Sequence, residues 1–294
     1  MSLRTFLLLV LIFPALLIGA AIAADVTIPI PEWGRDYVQR VSLQGEVAPA
    51  GLPEVLGPDD VTRPLVVIDA GHGGRDPGAV GQTPDGETVR EKEVTLAIAL
   101  ALRDELLAAG GIRVALTRSG DYILPLGDRP EIARQLGADL FISIHADSAG
   151  GTTDVSGASI YTLSSEASSE AAALFAAREN DADRVNGIEI EGQSEQVSAI
   201  LVELSQQATQ EESAELSSLI IREGDGEIAF VNQPRRSGAL VVLRAPDLPS
   251  VLFESGFVTN QADRARLSTA EGRATYARVL ARAIEVYFAR RADR

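Results

Sequence analysis

The chain has 294 residues, two histidines, no cysteine and a formal net charge of −16 at pH 7. The lack of cysteine excludes disulfides and thiolate metal sites, so any metal must be held by nitrogen and oxygen. The acidic balance argues against nucleic acid or anionic lipid as the main partner, since both need a basic surface.

The first 23 residues have the pattern of a signal peptide. Arg4 gives a basic start, residues 6–18 are almost wholly apolar, and AIA at 21–23 is a small-residue cleavage site. The alternative is an uncleaved membrane anchor, because the apolar stretch approaches the roughly 20 residues that span a bilayer. The cleavage site favours export, with a mature chain that begins near Ala24 and no stable membrane insertion. Residues 24–63 would then be a leader or linker.

From Leu65 the sequence alternates between short apolar runs and helical patterns. After the first strand, which starts at Leu65, the predicted strands cover 112–117, 140–144, 157–163, 238–243 and 250–253. The predicted helices cover 91–109, 130–136, 165–179 and 272–289. This alternation predicts an α/β fold: a single catalytic domain at 64–290 with a mostly parallel, helix-flanked central sheet.

Residues 180–226 interrupt this alternation. The section is acidic, rich in Ser, Gln and Glu, and its apolar residues form two short stripes, one at 197–204 and one at 216–220. This composition predicts a helical insertion between two strands of the sheet, outside the minimal core. The alternative is an ordinary helical hairpin on the surface.

The two histidines occupy matching positions in the predicted sheet. His72 follows the apolar run 65–68 within IDAGHGG (68–74), and His145 ends a second run within FISIHAD (141–147). The carboxyl ends of parallel strands meet at one edge of an open sheet, where such folds bind ligands. Neutral imidazole is the commonest metal ligand among side chains. The matched pair favours one shared site over two unrelated buried histidines.

A catalytic zinc is held by three protein ligands and keeps one open position. With two histidines and no cysteine the third ligand must be a carboxylate, and Glu91, which starts the helix after His72, is the best candidate. Thr88 and Glu91 also have the spacing of a capping box, in which Glu91 bonds back to the backbone at Thr88. The residues alone leave ligand and cap equally open, and Glu87 and Glu93 are weaker candidates.

Glu254 follows the apolar residues 251–253 and therefore ends another predicted strand. A carboxylate there is costly unless it is paired or coordinated. It could take a proton from a metal-activated water and pass it to a leaving amine. The alternative is a carboxylate that binds backbone amides at a helix start near Thr259 and Asn260.

Four segments of the chain form a joint pattern. They read IDAGHGG at 68–74, REKEV at 90–94, FISIHAD at 141–147 and FESGF at 253–257. Together they resemble the zinc-dependent N-acetylmuramoyl-L-alanine amidases of the Amidase_3 type, and they occur in that family's order. The likeness covers residues 64–288.

The resemblance implies that His72, Glu91 and His145 bind Zn²⁺ and that Glu254 is the catalytic carboxylate. It implies hydrolysis of the amide between the lactyl group of N-acetylmuramic acid and the L-alanine of the stem peptide, in periplasmic peptidoglycan. The alternatives are a zinc peptidase or deacetylase and a non-catalytic wall-binding module. The metalloprotease motif His-Glu-x-x-His is absent from the sequence.

The resemblance also implies a role for the predicted insertion. In amidases of Gram-negative cell division, such a segment inhibits the enzyme until an activator protein displaces it, and a glutamate from it fills the open zinc position. Glu179 matches that glutamate by position, ahead of Glu189 and Glu191, and the alternative for Glu179 is a solvated helix end. The resemblance therefore implies autoinhibition, relieved by an activator that binds residues 180–226 during daughter-cell separation.

Overall fold

A central sheet of six strands organises the chain. The computed structural model describes residues 46–47, 51–148, 155–186, 209–245 and 247–292. The strands are β1 (Glu46–Val47), β2 (Leu65–Ala70), β3 (Val80–Gln82), β4 (Thr88–Arg90), β5 (Arg113–Leu116), β6 (Tyr122–Ile123), β7 (Leu140–His145), β8 (Ala158–Leu163), β9 (Phe230–Gly238) and β10 (Ser250–Glu254). The helices are α1 (Glu91–Ala109), α2 (Asp128–Gln135), α3 (Glu170–Asn180), α4 (Ala182–Val185), α5 (Gln210–Gly224), α6 (Gln261–Leu267) and α7 (Ala270–Ala292).

The central sheet has the strand order β5-β2-β7-β10-β8-β9. The first four strands run parallel, β8 runs antiparallel to β10, and β9 is parallel to β8. Every residue of β2, β7 and β10 is buried. Burial on both faces is what parallel strands covered by helices require. The predicted mostly parallel, helix-flanked sheet is confirmed.

Two apolar clusters cover the two faces of the sheet. One joins the sheet to α1, α5 and α7, and the other joins it to α2 and α3. Helix α1 begins at Glu91 and ends at Ala109, as predicted, before Gly110 with a φ of 75°. The buried helix therefore starts beside the carboxyl end of β2, which places Glu91 near the loop that follows that strand.

Helix α5, which lies within the predicted insertion, is part of the core. Its Leu216, Leu219 and Ile220 are buried in the same cluster as α1 and α7. The prediction that 180–226 stands outside the core is wrong for this part, because the apolar stripe of α5 covers the sheet. The other predicted stripe, Glu189 and Glu191 lie outside the described residues.

The predicted strand at 238–243 is also wrong. The strand is β9, which ends at Gly238, and Val241–Leu243 form a 3₁₀ turn. Val242 and Leu243 of that turn are buried against the second face of the sheet, and Val241 is partly buried there. Strand β9 is an edge strand of mostly polar, partly exposed residues with Pro234 in its middle, a position where proline is tolerated. β9 is a strand because it pairs with β8, and the pattern of apolar residues in the sequence does not indicate this pairing.

No helix in the described ranges has both the length and the apolar character that a membrane crossing requires. The predicted signal peptide at residues 1–23 lies outside those ranges.

Candidate metal centre

The residues singled out from the sequence meet at the carboxyl edge of the sheet. His145 ends β7 and Glu254 ends β10, and the two are paired in register. His72 lies two residues after β2, and its ring centroid is 4.9 Å from that of His145. Glu91 is the first residue of α1. Neighbouring parallel strands therefore deliver both histidines to one place.

The loop after β2 passes unusually close to His145. A Cβ atom built on Gly71 would lie 2.5 Å from two atoms of the His145 ring. Farther along the loop, a Cβ on Gly78 would lie 2.6 Å from Oε2 of Glu91 and 2.8 Å from Cδ2 of His72. Glycine at these two positions lets the loop close around the side chains of the site.

Glu91 faces both histidines. Its Oε1 is 3.0 Å from Nε2 of His72 and 3.3 Å from Nδ1 of His145. The carboxylate also accepts hydrogen bonds from the backbone N–H groups of Ala146 and Ala79, each at 2.8 Å. The N-cap residue of α1 is Arg90, and no side chain caps this helix. The capping-box alternative is therefore wrong, and the carboxylate is turned inward.

Glu179 reaches the same point from α3. It is buried, and its Oε2 lies 3.1 Å from Nδ1 of His145 and 3.5 Å from Nε2 of His72. The alternative of a solvated helix end is therefore wrong. His72, His145 and Glu179 offer ligand atoms that all lie within 4.8 Å of one another. Two histidines and two carboxylates therefore meet at one point, with their nitrogen and oxygen atoms 3.0 to 3.5 Å apart.

These atoms fit a zinc ion. A tetrahedral zinc with bonds of about 2.0 Å places its ligand atoms about 3.3 Å apart. The four nitrogen-to-oxygen distances between the histidines and Glu91 or Glu179 run from 3.0 to 3.5 Å. Nε2 of His72, Nδ1 of His145 and Oε2 of Glu179 are buried and lack a well-aligned hydrogen bond within the described ranges. Buried polar atoms are normally satisfied, and a shared cation would satisfy all of them.

The electrostatics favour a cation at this point. Burial alone would lower the pKa of His72, but the charge of Glu91 and the hydrogen bond that Nδ1 of His72 donates to Asp76 outweigh it and raise that pKa to about 10. Glu179 and Glu91 likewise raise the pKa of His145 to about 10 against burial. The two imidazoles therefore lie in a strongly negative field, which stabilises either protons or a divalent metal.

Asp76 is a site residue that the sequence analysis missed. Its Oδ2 lies 2.7 Å from Nδ1 of His72, and its Oδ1 accepts a hydrogen bond from the N–H of Gly78. A histidine ligand usually donates its second ring N–H to a carboxylate, which fixes the orientation of the ring. Asp76 thus turns Nε2 of His72 toward Glu91 and Glu179. Its place four residues after His72 in the same loop was the available signal.

Glu254 is buried, with 1% of its surface exposed. Its Oε2 accepts a hydrogen bond of 2.8 Å from the backbone N–H of Asp147, and its Oε1 is among the buried atoms that lack a partner in the described part of the chain. The predicted alternative, amides near Thr259 and Asn260, is wrong. Burial, with Asp147 and Glu91 nearby, raises the pKa of Glu254 well above its ordinary value. This carboxyl group is thus suited to holding a proton.

The chain matches a known protein family. The Amidase_3 family, described as N-acetylmuramoyl-L-alanine amidase, matches residues 66–286. The chain belongs to the N-acetylmuramoyl-L-alanine amidase family. The resemblance inferred from the four segments is confirmed, and the protein is a peptidoglycan amidase.

Several relatives of this amidase have curated descriptions. It is 40% identical to N-acetylmuramoyl-L-alanine amidase AmiA of Escherichia coli K12 over 227 residues, which cover 76% of each chain. It is 34% identical to AmiC of Escherichia coli O6:H1 over 270 residues, which cover 91% of this chain and 63% of that one. Among solved structures, amidase AmiC2 of Nostoc punctiforme aligns with a TM-score of 0.52 and 28% identity, over 76% of this amidase and 97% of the other chain.

A buried ion pair lies directly beneath the site. Asp69 is fully buried in β2 and accepts from Nη1 of Arg129 at 2.9 Å, Oγ of Ser143 at 2.6 Å and Oγ1 of Thr117 at 2.5 Å. Burial alone would raise the pKa of Asp69, but Arg129 and the two hydroxyl groups outweigh it and lower that pKa. The carboxylate is therefore charged and ties β2 to β7 and α2.

Replacing Asp69 with alanine is expected to lower the free energy of unfolding by about 3–5 kcal/mol, because it leaves the buried charge of Arg129 without its partner. Urea unfolding of the metal-free protein measures this loss. Glu93→Ala is the control, since Glu93 pairs with Arg90 at an exposed position, where such pairs contribute up to about 1 kcal/mol. Equal losses for the two variants would contradict the prediction.

Proposed function

We propose that this amidase is zinc-dependent, with His72, Glu91 and His145 as metal ligands and Glu254 as the catalytic carboxylate. The bond cleaved is the amide between the lactyl group of N-acetylmuramic acid and the L-alanine of the stem peptide. The observation that carries the proposal is the convergence of Nε2 of His72 and Nδ1 of His145 on Oε1 of Glu91, at 3.0 and 3.3 Å. A zinc held by these three ligands would keep a fourth position open, as catalytic zinc sites do.

Bound zinc supplies Lewis-acid chemistry, by polarising the amide carbonyl and acidifying the attacking water. The rest of the work belongs to the chain. Asp76 and Glu91 hold the two imidazoles in place through the contacts given above. The surrounding apolar strand ends exclude bulk water, which strengthens each electrostatic interaction within the site.

Glu254 moves the proton. As a carboxylate it accepts a proton from the attacking water, and it then donates that proton to the departing nitrogen of L-alanine. The backbone N–H of Asp147 holds Oε2 of Glu254, which leaves Oε1 to make the transfer. The raised pKa of Glu254 helps the residue to retain the proton between the two steps.

We also propose that Glu179 inhibits the enzyme. Its Oε2 lies within 3.5 Å of the same two histidine nitrogens as Glu91, so it would occupy the fourth metal position and exclude water and substrate. Helices α3 and α4 form one wall of a cavity of about 340 Å³ that includes His72, Glu91 and Asp147. Movement of this wall away from the histidines would free the fourth position for substrate.

Polar side chains hold the inhibitory helices in place. Nη2 of Arg178 contacts Oδ1 of Asp147 at 2.6 Å, and Asn180 bonds the backbone of Ala239 and Val241, each at 2.8 Å. Asn186, after α4, accepts a hydrogen bond from the N–H of Asp76 at 3.2 Å. An activator protein that binds within residues 180–226 would have to break these contacts together. Such contacts can be replaced by water, so the blocked state is reversible.

The proposed setting is the periplasm. Residues 1–23 would direct export, residues 24–63 would form a leader, and 64–290 would be the catalytic domain. Within the predicted insertion, the structure supports a regulatory part that ends before α5, since α5 belongs to the core. The curated relatives named AmiA and AmiC support a role in cell-wall remodelling, which we extend to daughter-cell separation.

The products released from purified peptidoglycan test this function. The mature chain from Ala24, zinc-loaded and carrying Glu179→Ala, is expected to release stem peptides with a free L-alanine amino terminus, as read by mass spectrometry. A chelator should abolish the release of stem peptides and added zinc should restore it, because the enzyme activates the attacking water only when zinc is bound. Replacement of the whole 180–226 segment is unsuitable, since it would remove α5.

Other products would assign another activity. Cleavage within the peptides would indicate a peptidase, and released acetate would indicate a deacetylase. No product from a folded chain with about one zinc would favour a wall-binding module. Full activity of the chelated enzyme would contradict the proposed metal dependence.

A further inference from the structure

Two buried arginines lie behind the loop that carries His72. Arg118 follows β5 and has none of its surface exposed, while Arg129 is in the first turn of α2 and is 2% exposed. Burying a guanidinium group is costly unless its N–H groups are bonded and its charge is compensated. Asp69 bonds Arg129 directly. Arg118 donates one hydrogen bond to Oγ1 of Thr95, and the other described hydrogen bonds of the two arginines go to backbone carbonyls.

The two guanidinium groups bind three successive carbonyl oxygens. Nε of Arg118 donates to the oxygen of Ala70 and Nη2 to that of Gly71, both at 2.8 Å. Nη1 of Arg129 also donates to Ala70 at 2.8 Å, and its Nη2 donates to the oxygen of His72 at 2.9 Å. Every carbonyl from the end of β2 to His72 is therefore held by an arginine.

The loop needs this support at His72. Among the described residues, His72 is the non-glycine residue with a positive φ, at 60°. The left-handed conformation is sterically unfavourable for an L-residue with a Cβ atom. Such strain persists where the surrounding structure over-determines the backbone, and it is concentrated at functional sites. The bonded carbonyls fix the peptide planes on both sides of Gly71 and the plane that follows His72.

We infer that Arg118 and Arg129 are positioning residues, which hold His72 in its left-handed conformation so that Nε2 points at the metal. The inference rests on the zinc site proposed above. The fixed peptide planes set the direction of the His72 side chain, and Asp76 sets the rotation of its ring. If the arginines only satisfied buried carbonyls, replacing them would lower stability and leave the zinc affinity of the folded protein unchanged.

Zinc affinity of the mature chain tests the inference. The dissociation constant is measured by competition with a chromophoric chelator. Arg129→Lys keeps the charge but loses the planar fork, so it cannot bind Asp69, Ala70 and His72 together. We expect zinc binding to weaken by about 10–100-fold, as for other partners of metal ligands, in a variant whose circular dichroism matches that of the parent.

A matched control is available at the opposite end of β5. Arg113 donates from Nε to the carbonyl of Arg63 and from Nη2 to that of Val61, at 2.9 and 3.0 Å. Arg113→Lys therefore also loses guanidinium bonds to backbone carbonyls, far from the strand ends that carry the site. Its zinc dissociation constant should equal that of the parent.

A milder variant covers the case in which Arg129→Lys does not fold. Oγ1 of Thr95 donates to the carbonyl of Gly71 at 2.9 Å and accepts from Nη2 of Arg118 at 3.1 Å. Thr95→Val keeps the shape of the side chain and removes both bonds, so zinc binding should weaken several-fold. Thr95→Ser keeps the hydroxyl group and should restore the parent affinity.

His72→Ala in the same titration separates the two hypotheses. If His72→Ala binds zinc as tightly as the parent, the proposed ligand set is wrong. If His72→Ala weakens binding while folded Arg129→Lys and Thr95→Val keep the parent affinity, the positioning inference alone is overturned. Weaker binding in all three, with Arg113→Lys unchanged, supports both.

Discussion

Replacing Glu254 with glutamine is expected to abolish amide hydrolysis and to leave zinc bound. Glutamine has nearly the shape of glutamate and can still accept the hydrogen bond from Asp147, but it cannot take up a proton. General acid–base groups contribute about 10²–10⁴-fold to rate, so the rate should fall by at least about 100-fold. The measurement is stem-peptide release in the Glu179→Ala background, together with the zinc content of each preparation.

Glu93→Gln is the matched control for Glu254→Gln. Glu93 is an exposed glutamate of α1 that pairs with Arg90, so the same chemical change there should leave both rate and zinc content unaltered. If the rate of the Glu254→Gln variant were within about tenfold of that of its Glu179→Ala parent, another group would have to carry the proton. Loss of zinc from Glu254→Gln would instead show that Glu254 is needed to hold the metal.

Replacing Glu179 with alanine is expected to activate the intact chain in the absence of any partner protein. The substitution removes the carboxylate proposed to fill the fourth metal position, and it leaves His72, Glu91 and His145 in place. If the blocked state is favoured by about 1.4 kcal/mol or more, the uninhibited fraction and the rate rise by about tenfold or more. Initial rates of dye release from labelled peptidoglycan measure the change.

The control for Glu179→Ala lies in the same helix. Glu170 starts α3 and is exposed, so Glu170→Ala loses a carboxylate from α3 without touching the site. Its rate should match that of the parent chain. A Glu179→Ala variant with bound zinc and an unchanged rate would contradict autoinhibition by this residue. Equal activation by both variants would indicate that loosening of α3, rather than loss of the blocking carboxylate, is responsible.

Local patterns predicted the elements that carry the site. β7 and β10 are short apolar runs between polar turns, and buried parallel strands have this appearance. Helix α1 was predicted with its observed bounds, because an apolar pattern of 19 residues ends at Gly110, which adopts a positive φ. The same reasoning failed for α5 and β9. The sequence does not show whether the apolar stripe of α5 packs on the sheet or on a partner protein. Strand β9 forms because it pairs with β8, and its own polar residues do not predict a strand.

The residue types and their order along the chain establish which chemistry is available: two histidines at strand ends, no thiolate, and glutamates at positions that match an amidase family. Which carboxylates reach the histidines depends on how the elements pack in three dimensions. This packing turns Glu91 away from the capping box, brings Glu179 in from α3, and places Asp76 behind His72. Spacing along the chain determines only the direction in which a side chain points within a single helix or strand. Contacts between distant elements depend on how the sheet orders its strands and how the helices pack on its faces.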